Sequence, residues 1–369
     1  MVKVATLVIL GLLLVQPVQA ASYPISIEFG RSWPLSVVVD SSRGLVYADG
    51  TSGENPPVGF TFGVINVTSH ELAKVFPLDE IPGSVALNPA NGDVYVAGNY
   101  SIEVFDQAAQ NFTGLIEVGH LVLSMIYDEG SGNIFVTSGN SVYAINPQSG
   151  RVTANATTSG GTEGMVVDPT NGLLYVSEYT TGQIAVFQAA NLQPDGTIEL
   201  PTCCAAWFAL NTNTQTLYAS TGSNYLDVVN AATNTFEKTF KVDPSSQNST
   251  GAIVVDNDTD RVYVASSPGG SVLEVDGSTG TVLQTLKVQS DSAVAGLAID
   301  TKTAELYATN YHYITVFEAG GRRGLLFVLV LGVAVVVVAA VVVYLFVRRR
   351  DEKERLRVQS GWSGSSRPE

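Results

Sequence analysis

The sequence predicts an all-β fold: a seven-bladed β-propeller ectodomain whose ring is closed by the N-terminal strand, followed by one C-terminal transmembrane helix. Three observations carry this expectation. A strand-turn-strand motif returns seven times at a mean spacing of about 43 residues. The seventh unit stops one strand short, and a strand-like segment stands unclaimed before the first. Two long apolar runs bracket the repeats.

The motif is clearest in "VVDPTNGLLYVSE", Val166 to Glu178, an apolar strand, a turn and a second strand opened by an aromatic. The aromatics are Tyr47, Tyr95, Phe135, Tyr175, Tyr218, Tyr263 and Tyr307. Seven positions before each stands Asp40, Asn88, Asp128, Asp168, Asn211, Asp256 or Asp300. An aliphatic residue precedes every aromatic, and Ala or Val follows it. The Asp or Asn side chain is expected to bond the backbone of its own turn, which makes it a fold residue. Gly44, Gly92, Gly132 and Gly172 suit the positive φ of such a turn. Each unit continues with a third strand ending in a polar residue ("SIEVFD", "SVYAIN", "YLDVVN") and a fourth ("GLIEV", "TIEL", "TVLQTLKV"). Four short strands per unit is the pattern of a propeller blade.

The pieces "DVYVAG", "RVYVAS" and "LLYVSE", preceded by "NPANG" and "DPTNG", resemble the YVTN-type repeat. That repeat occurs in bacterial and archaeal surface and periplasmic seven-bladed propellers. The resemblance runs from Asp40 to Glu318 and implies the fold; it implies no single activity, because such proteins bind varied partners. "QTLYAST" departs from the pattern in lacking the turn Gly, and "AELYATN" has Ala in place of Val.

"YITVFEAGGRR" leads from a third strand straight toward the second apolar run, so the last blade lacks its fourth strand. The segment Ile25 to Phe29, in "PISIEFGRSWP", is expected to supply it by pairing beside Tyr313 to Glu318. Closure of this kind removes edge strands that would invite aggregation.

The ends set the topology. Residues 1–20, with Lys3, an uncharged run and small residues Val18 and Ala20, have the layout of a secretory signal peptide. The ectodomain is then 21–321. Residues 324–347 carry no charge or Pro and, as a helix, would reach about 36 Å, enough to span a bilayer. The tail, 348–369, holds Arg348, Arg349, Arg350, Lys353, Arg355 and Arg357, against Arg322 and Arg323 before the span, which places it in the cytoplasm. The expected location is the cell membrane: single-pass type I, with the N-terminal domain outside at the cell surface. Between the runs 11 basic residues face 30 acidic ones, a net charge of −19. So acidic a surface argues against nucleic acid as partner.

Candidate chemistry is sparse. His70, His120 and His312 share no metal spacing and read as lone surface or turn histidines. "DNDTD" at Asp256 lacks the Gly and distant Glu of a calcium loop. No motif nominates a catalytic residue, a metal site or a cofactor. Cys203 and Cys204, the only cysteines, are adjacent; they read as an oxidised vicinal pair or as two small buried residues. Tyr100, Tyr179, Tyr225 and Tyr311 fall in turns between second and third strands, on the face that also carries the connections between blades. Exposed aromatics on one rim suit sugar or peptide binding. Six sequons, at Asn66, Asn99, Asn111, Asn155, Asn248 and Asn257, permit N-glycosylation.

These readings point to a membrane-anchored, non-enzymatic binding, adhesion or envelope protein with an extracellular protein or glycan partner. The alternative is an extracytoplasmic oxidoreductase or hydrolase with its site at the channel mouth. Counting strand reversals sends the chain out of the last blade opposite the blade connections, so the tyrosines and the Cys pair are expected on the distal face.

Overall fold

A computed structural model describes residues 23–320 apart from 31, 53–58, 203, 244–248, 268 and 290–291, together with Tyr344 and Arg348. The signal peptide, almost all of the apolar run 324–347 and the tail beyond Arg348 lie outside the described residues. Residues 1–320 form one compact unit and 321–369 a second. Among the described residues no helix is long and apolar enough to cross a membrane.

The first unit is a seven-bladed β-propeller. Among the described residues 28 strands form seven four-stranded antiparallel sheets. Blade 1, for example, runs through Ser32–Asp40, Leu45–Ser52, Phe60–Asn66 and Glu71–Leu78. Blades 2 to 6 repeat this order, each sheet made of four strands consecutive in sequence. Blade 7 takes three strands, Leu297–Asp300, Glu305–Asn310 and Tyr313–Glu318, from the end of the chain and its fourth, Ile25–Glu28, from the start. The register pairs Ile25 with Val316 and Glu28 with Tyr313. The expected closure is present.

The turn chemistry explains why the motif recurs. All seven Asp/Asn residues accept a hydrogen bond from the backbone amide two residues on, at 2.9–3.1 Å. The residue four beyond each has positive φ in every blade: Gly44, Gly92, Gly132 and Gly172, then Gln215, Asp260 and Ala304 in blades 5 to 7. The last three accept a left-handed backbone that a Cβ makes costly. Gln215 and Asp260 recover part of that cost through side-chain bonds to neighbouring turns, Gln215 to Thr170 and Asp260 from Asn211 and Tyr218. Ala304 has no such group.

The seven aromatics of the motif are all buried. Each of the seven apolar clusters draws on two neighbouring blades; Tyr47, Phe62 and Val64 of blade 1, for instance, pack with Val85, Val94 and Phe105 of blade 2. The core is therefore a set of inter-blade seams, and the fourth strands show mostly exposed side chains, as in Asn111–Glu117. At the closing seam Phe29 lies over Gly63: a Cβ there would stand 2.5 Å from the Phe29 ring. Only Gly admits that contact.

The strands define two faces. First strands start, and blades connect, on what we term the top; the Asp/Asn turns lie at the bottom. Gly320 packs near Thr259 and Arg261 in the bottom turn of blade 6, so the chain leaves the ring at the bottom. Tyr23 enters there too, its hydroxyl donating to Glu305 at 2.5 Å.

Candidate functional site

The channel mouth opens on the top face as a cavity of about 280 Å³, lined by the starts of the innermost strands of all seven blades. These starts are held by a side chain two residues beyond the motif aromatic. The Ser36 amide donates to Asp49 Oδ1 at 2.8 Å, the Gly164 amide to Ser177 Oγ at 3.0 Å and the Gly296 amide to Thr309 Oγ1 at 2.7 Å. Thr137 Oγ1 and Thr309 Oγ1 donate onward to the next blade, to the carbonyls of Glu163 and Leu35. Asp49 is fully buried, its Oδ2 has no hydrogen-bond partner among the described residues, and burial pushes its carboxyl up to about 6.

Among the described residues Glu163 is the one ionisable group lining the cavity. It is half-buried, and desolvation raises its carboxyl above the ordinary range. Its amide and carbonyl are bonded to Ser177 and Thr137, while no described residue bonds or pairs with its carboxylate. Trp207, from the next blade, faces the same opening. Serines and apolar side chains complete the lining.

The four tyrosines named from sequence fall on four different blades, 2, 4, 5 and 7. Tyr100, Tyr179 and Tyr311 are exposed in top-face turns. Tyr225 is corrected: it opens the third strand of blade 5, Tyr225–Asn230, and is half-buried. The repeat register places it next to the turn, but its backbone pairs with Lys241, which makes it the first strand residue. Instead of one tyrosine site, the structure gathers Tyr311 with two residues that the sequence did not single out as partners. Trp33 lies 4.8 Å from Tyr311 between ring centroids, and His312 lies 4.1 Å from Tyr311. His312 Nδ1 also sits 3.3 Å from the Ser32 carbonyl oxygen.

The other histidines are structural. His120 stacks on Tyr143 with centroids 4.6 Å apart. His70 is a turn residue as expected but not a surface one: its Nε2 is 3.0 Å from buried Glu305 Oε1, where the chain ends meet. Among the described residues no group of three or more His, Cys, Asp or Glu could hold a metal ion.

Cys204 lies in the top-face connection before blade 5, half-buried, with φ +77°, and is not a free thiol. Cys203 lies outside the described residues. Of the sequons, Asn111 and Asn155 are exposed, Asn66 and Asn99 are half-buried, and Asn248 lies outside the described residues. Asn257 is half-buried and its Nδ2 already donates to Thr212.

No protein-family model matches the chain, and no curated protein is similar to it. The architecture that stands on its own geometry is the seven-bladed β-propeller.

Proposed function

We propose that this chain is a membrane-anchored cell-surface propeller of the YVTN-repeat type that binds an extracellular protein or glycan through its top face, without catalysing a reaction. The observation that supports the reading best is where apolar surface is left exposed. Trp33, Tyr100, Leu121, Tyr179, Trp207 and Tyr311 are all exposed on the top, in blade connections, turns or first-strand starts. Paired aromatics such as Trp33 and Tyr311 offer large rigid area with polar edges, which suits sugar rings and extended peptides. The bottom is occupied by Asp/Asn turns bonded to themselves.

The chain leaves at the bottom, four residues before the apolar run that begins at Gly324. In this reading that run is the anchor, the bottom faces the membrane and the top faces outward. Cys203 and Cys204 form a vicinal disulfide on the outward side. A hydrolase or oxidoreductase site at the channel mouth gains less support, because among the described residues Glu163 has no second titratable group in the lining to work against.

The test is binding of arrayed glycans and peptides to the purified full-length chain and to two variants. Trp33→Ser combined with Tyr311→Ser is expected to weaken binding at least tenfold; Lys302→Ala at the bottom is expected to leave it unchanged. The reverse pattern would move the binding face to the bottom and overturn the reading.

A further inference from the structure

We infer that the channel mouth is a binding site for the ammonium head of an organic cation, seated between the Glu163 carboxylate and the Trp207 indole. Within the proposed function this names the chemistry of one site on the top face, and it rests on that reading only in taking the top as the working face.

The cavity is about 280 Å³, room for a small amine or the end of a lysine side chain. Among the described residues none that lines it is basic, so none of them supplies a counter-charge to Glu163. That carboxylate has neither hydrogen-bond nor ion-pair partner among the described residues, although its backbone on both sides is bonded and fixed. A half-buried carboxylate left unpaired is unfavourable, and a cation entering the mouth removes the penalty. Structural ion pairs elsewhere in the molecule show the contrast: Asp40 is held by Arg43 at 2.8 Å and Asp276 by Arg261 at 3.1 Å.

Trp207 is brought to the same cavity by a backbone contact at Gly164, the residue after Glu163. A Cβ on Gly164 would come 3.2 Å from the Trp207 Cα and overlap the Ala206 carbonyl oxygen, so blades 4 and 5 touch at this point with no side chain between them. Trp207 and Glu163 line the same cavity, and an aromatic ring together with a carboxylate in one cavity favours an ammonium over a neutral molecule of the same shape. Ser36, across the ring, lines the same cavity. The acidic domain, −19 between the two apolar runs, draws cations toward the mouth from solution. A metal ion fits less well, because one carboxylate, hydroxyls and an aromatic face do not make an oxygen cage.

The ligand could be a free amine or a lysine side chain of a partner, and the test separates them. Pentylammonium, tetramethylammonium, a blocked lysine amide, pentanol and calcium are titrated calorimetrically into the full-length chain. At least one ammonium should bind and pentanol should not; preference for the lysine amide identifies a protein source, preference for the free amines a small molecule. Glu163→Gln should weaken binding at least tenfold with an unchanged melting temperature, since its carboxylate has no partner to lose. Trp207→Phe should weaken it less than Trp207→Ser. No heat with any ammonium at millimolar concentration, equal binding of pentanol, a calcium signal alone or an unaffected Glu163→Gln variant would each overturn the inference. No capture of any glycan or peptide by the unmutated chain, with amine binding intact, would sink the proposed function and leave this site standing.

Discussion

The closing seam makes a quantitative prediction. Phe29 is buried, and its ring occupies the space where Gly63 would carry a side chain, with the nearest ring atoms 2.5 and 2.7 Å from that Cβ position. Phe29→Ala empties the seam between blades 7 and 1 and should cost about 3–5 kcal/mol. Gly63→Ala forces a methyl into the ring and into Leu72, 2.9 Å away, and should cost about 1–3 kcal/mol. The two effects are not independent, because the methyl partly fills the cavity that the truncation leaves. The double variant should therefore be more stable than the sum of the single changes predicts, by about 2 kcal/mol. Guanidinium unfolding of the full-length chain, followed by tryptophan fluorescence, measures all four corners of the cycle. Additivity within about 0.5 kcal/mol would show that Phe29 and Gly63 do not touch, and the closing strand would have to lie elsewhere.

Further expectations follow from single residues. Ala304, left-handed at φ +56° and without the bonds of Gln215 or Asp260, should gain up to about 1 kcal/mol on Ala304→Gly, read as a raised midpoint; a loss above about 1 kcal/mol would refute the strain argument. Asp49 has its carboxyl raised from 3.8 to about 6, so its contribution is fully present only below pH 3.8 and is lost as pH rises through 6. The stability of the wild type relative to Asp49→Asn should fall by roughly 2 kcal/mol between pH 4 and pH 7, and a flat difference would contradict the burial. A C-terminal tag on intact cells should resist added protease while the propeller is cut or shed; a digestible tag would reverse the topology. An impermeant thiol reagent should label Cys203 and Cys204 on intact cells only after mild reduction. Labelling confined to unfolded protein would remove them from the accessible top face.

Much of the architecture was legible because its constraints are local. An Asp or Asn, a left-handed residue and an aromatic recur at fixed offsets, since one turn and one seam require all three in that order. Even the drifted blade at Gln215 keeps the register, with the same backbone conformation reached by a different residue. The channel mouth was not legible. Glu163 and Trp207 are 44 positions apart and line one cavity only because blades 4 and 5 are neighbours, touching at Gly164. Nor did the motif show that Ser177 and Thr309 hold the mouth, because which amide a hydroxyl meets depends on the curl of the first strand. The sequence places Tyr225 both in a turn and as the first residue of "YLDVVN", and the strand Tyr225–Asn230 bears out the second.

The strand that closes the ring has a consequence in time. Ile25 pairs with Val316, so the first strand to be made is the last to find its place, 291 positions later. Bringing such distant ends together costs about 5 kcal/mol of chain entropy, only about 0.6 more than for a chain half as long. The expense lies in the waiting rather than in the distance. Until Tyr313–Glu318 has been synthesised, an N-terminal strand with Ile27 and Phe29 exposed has no partner within its own chain. Two copies emerging side by side could then exchange these segments, each completing the other's last blade, and the result would be a dimer with native contacts throughout.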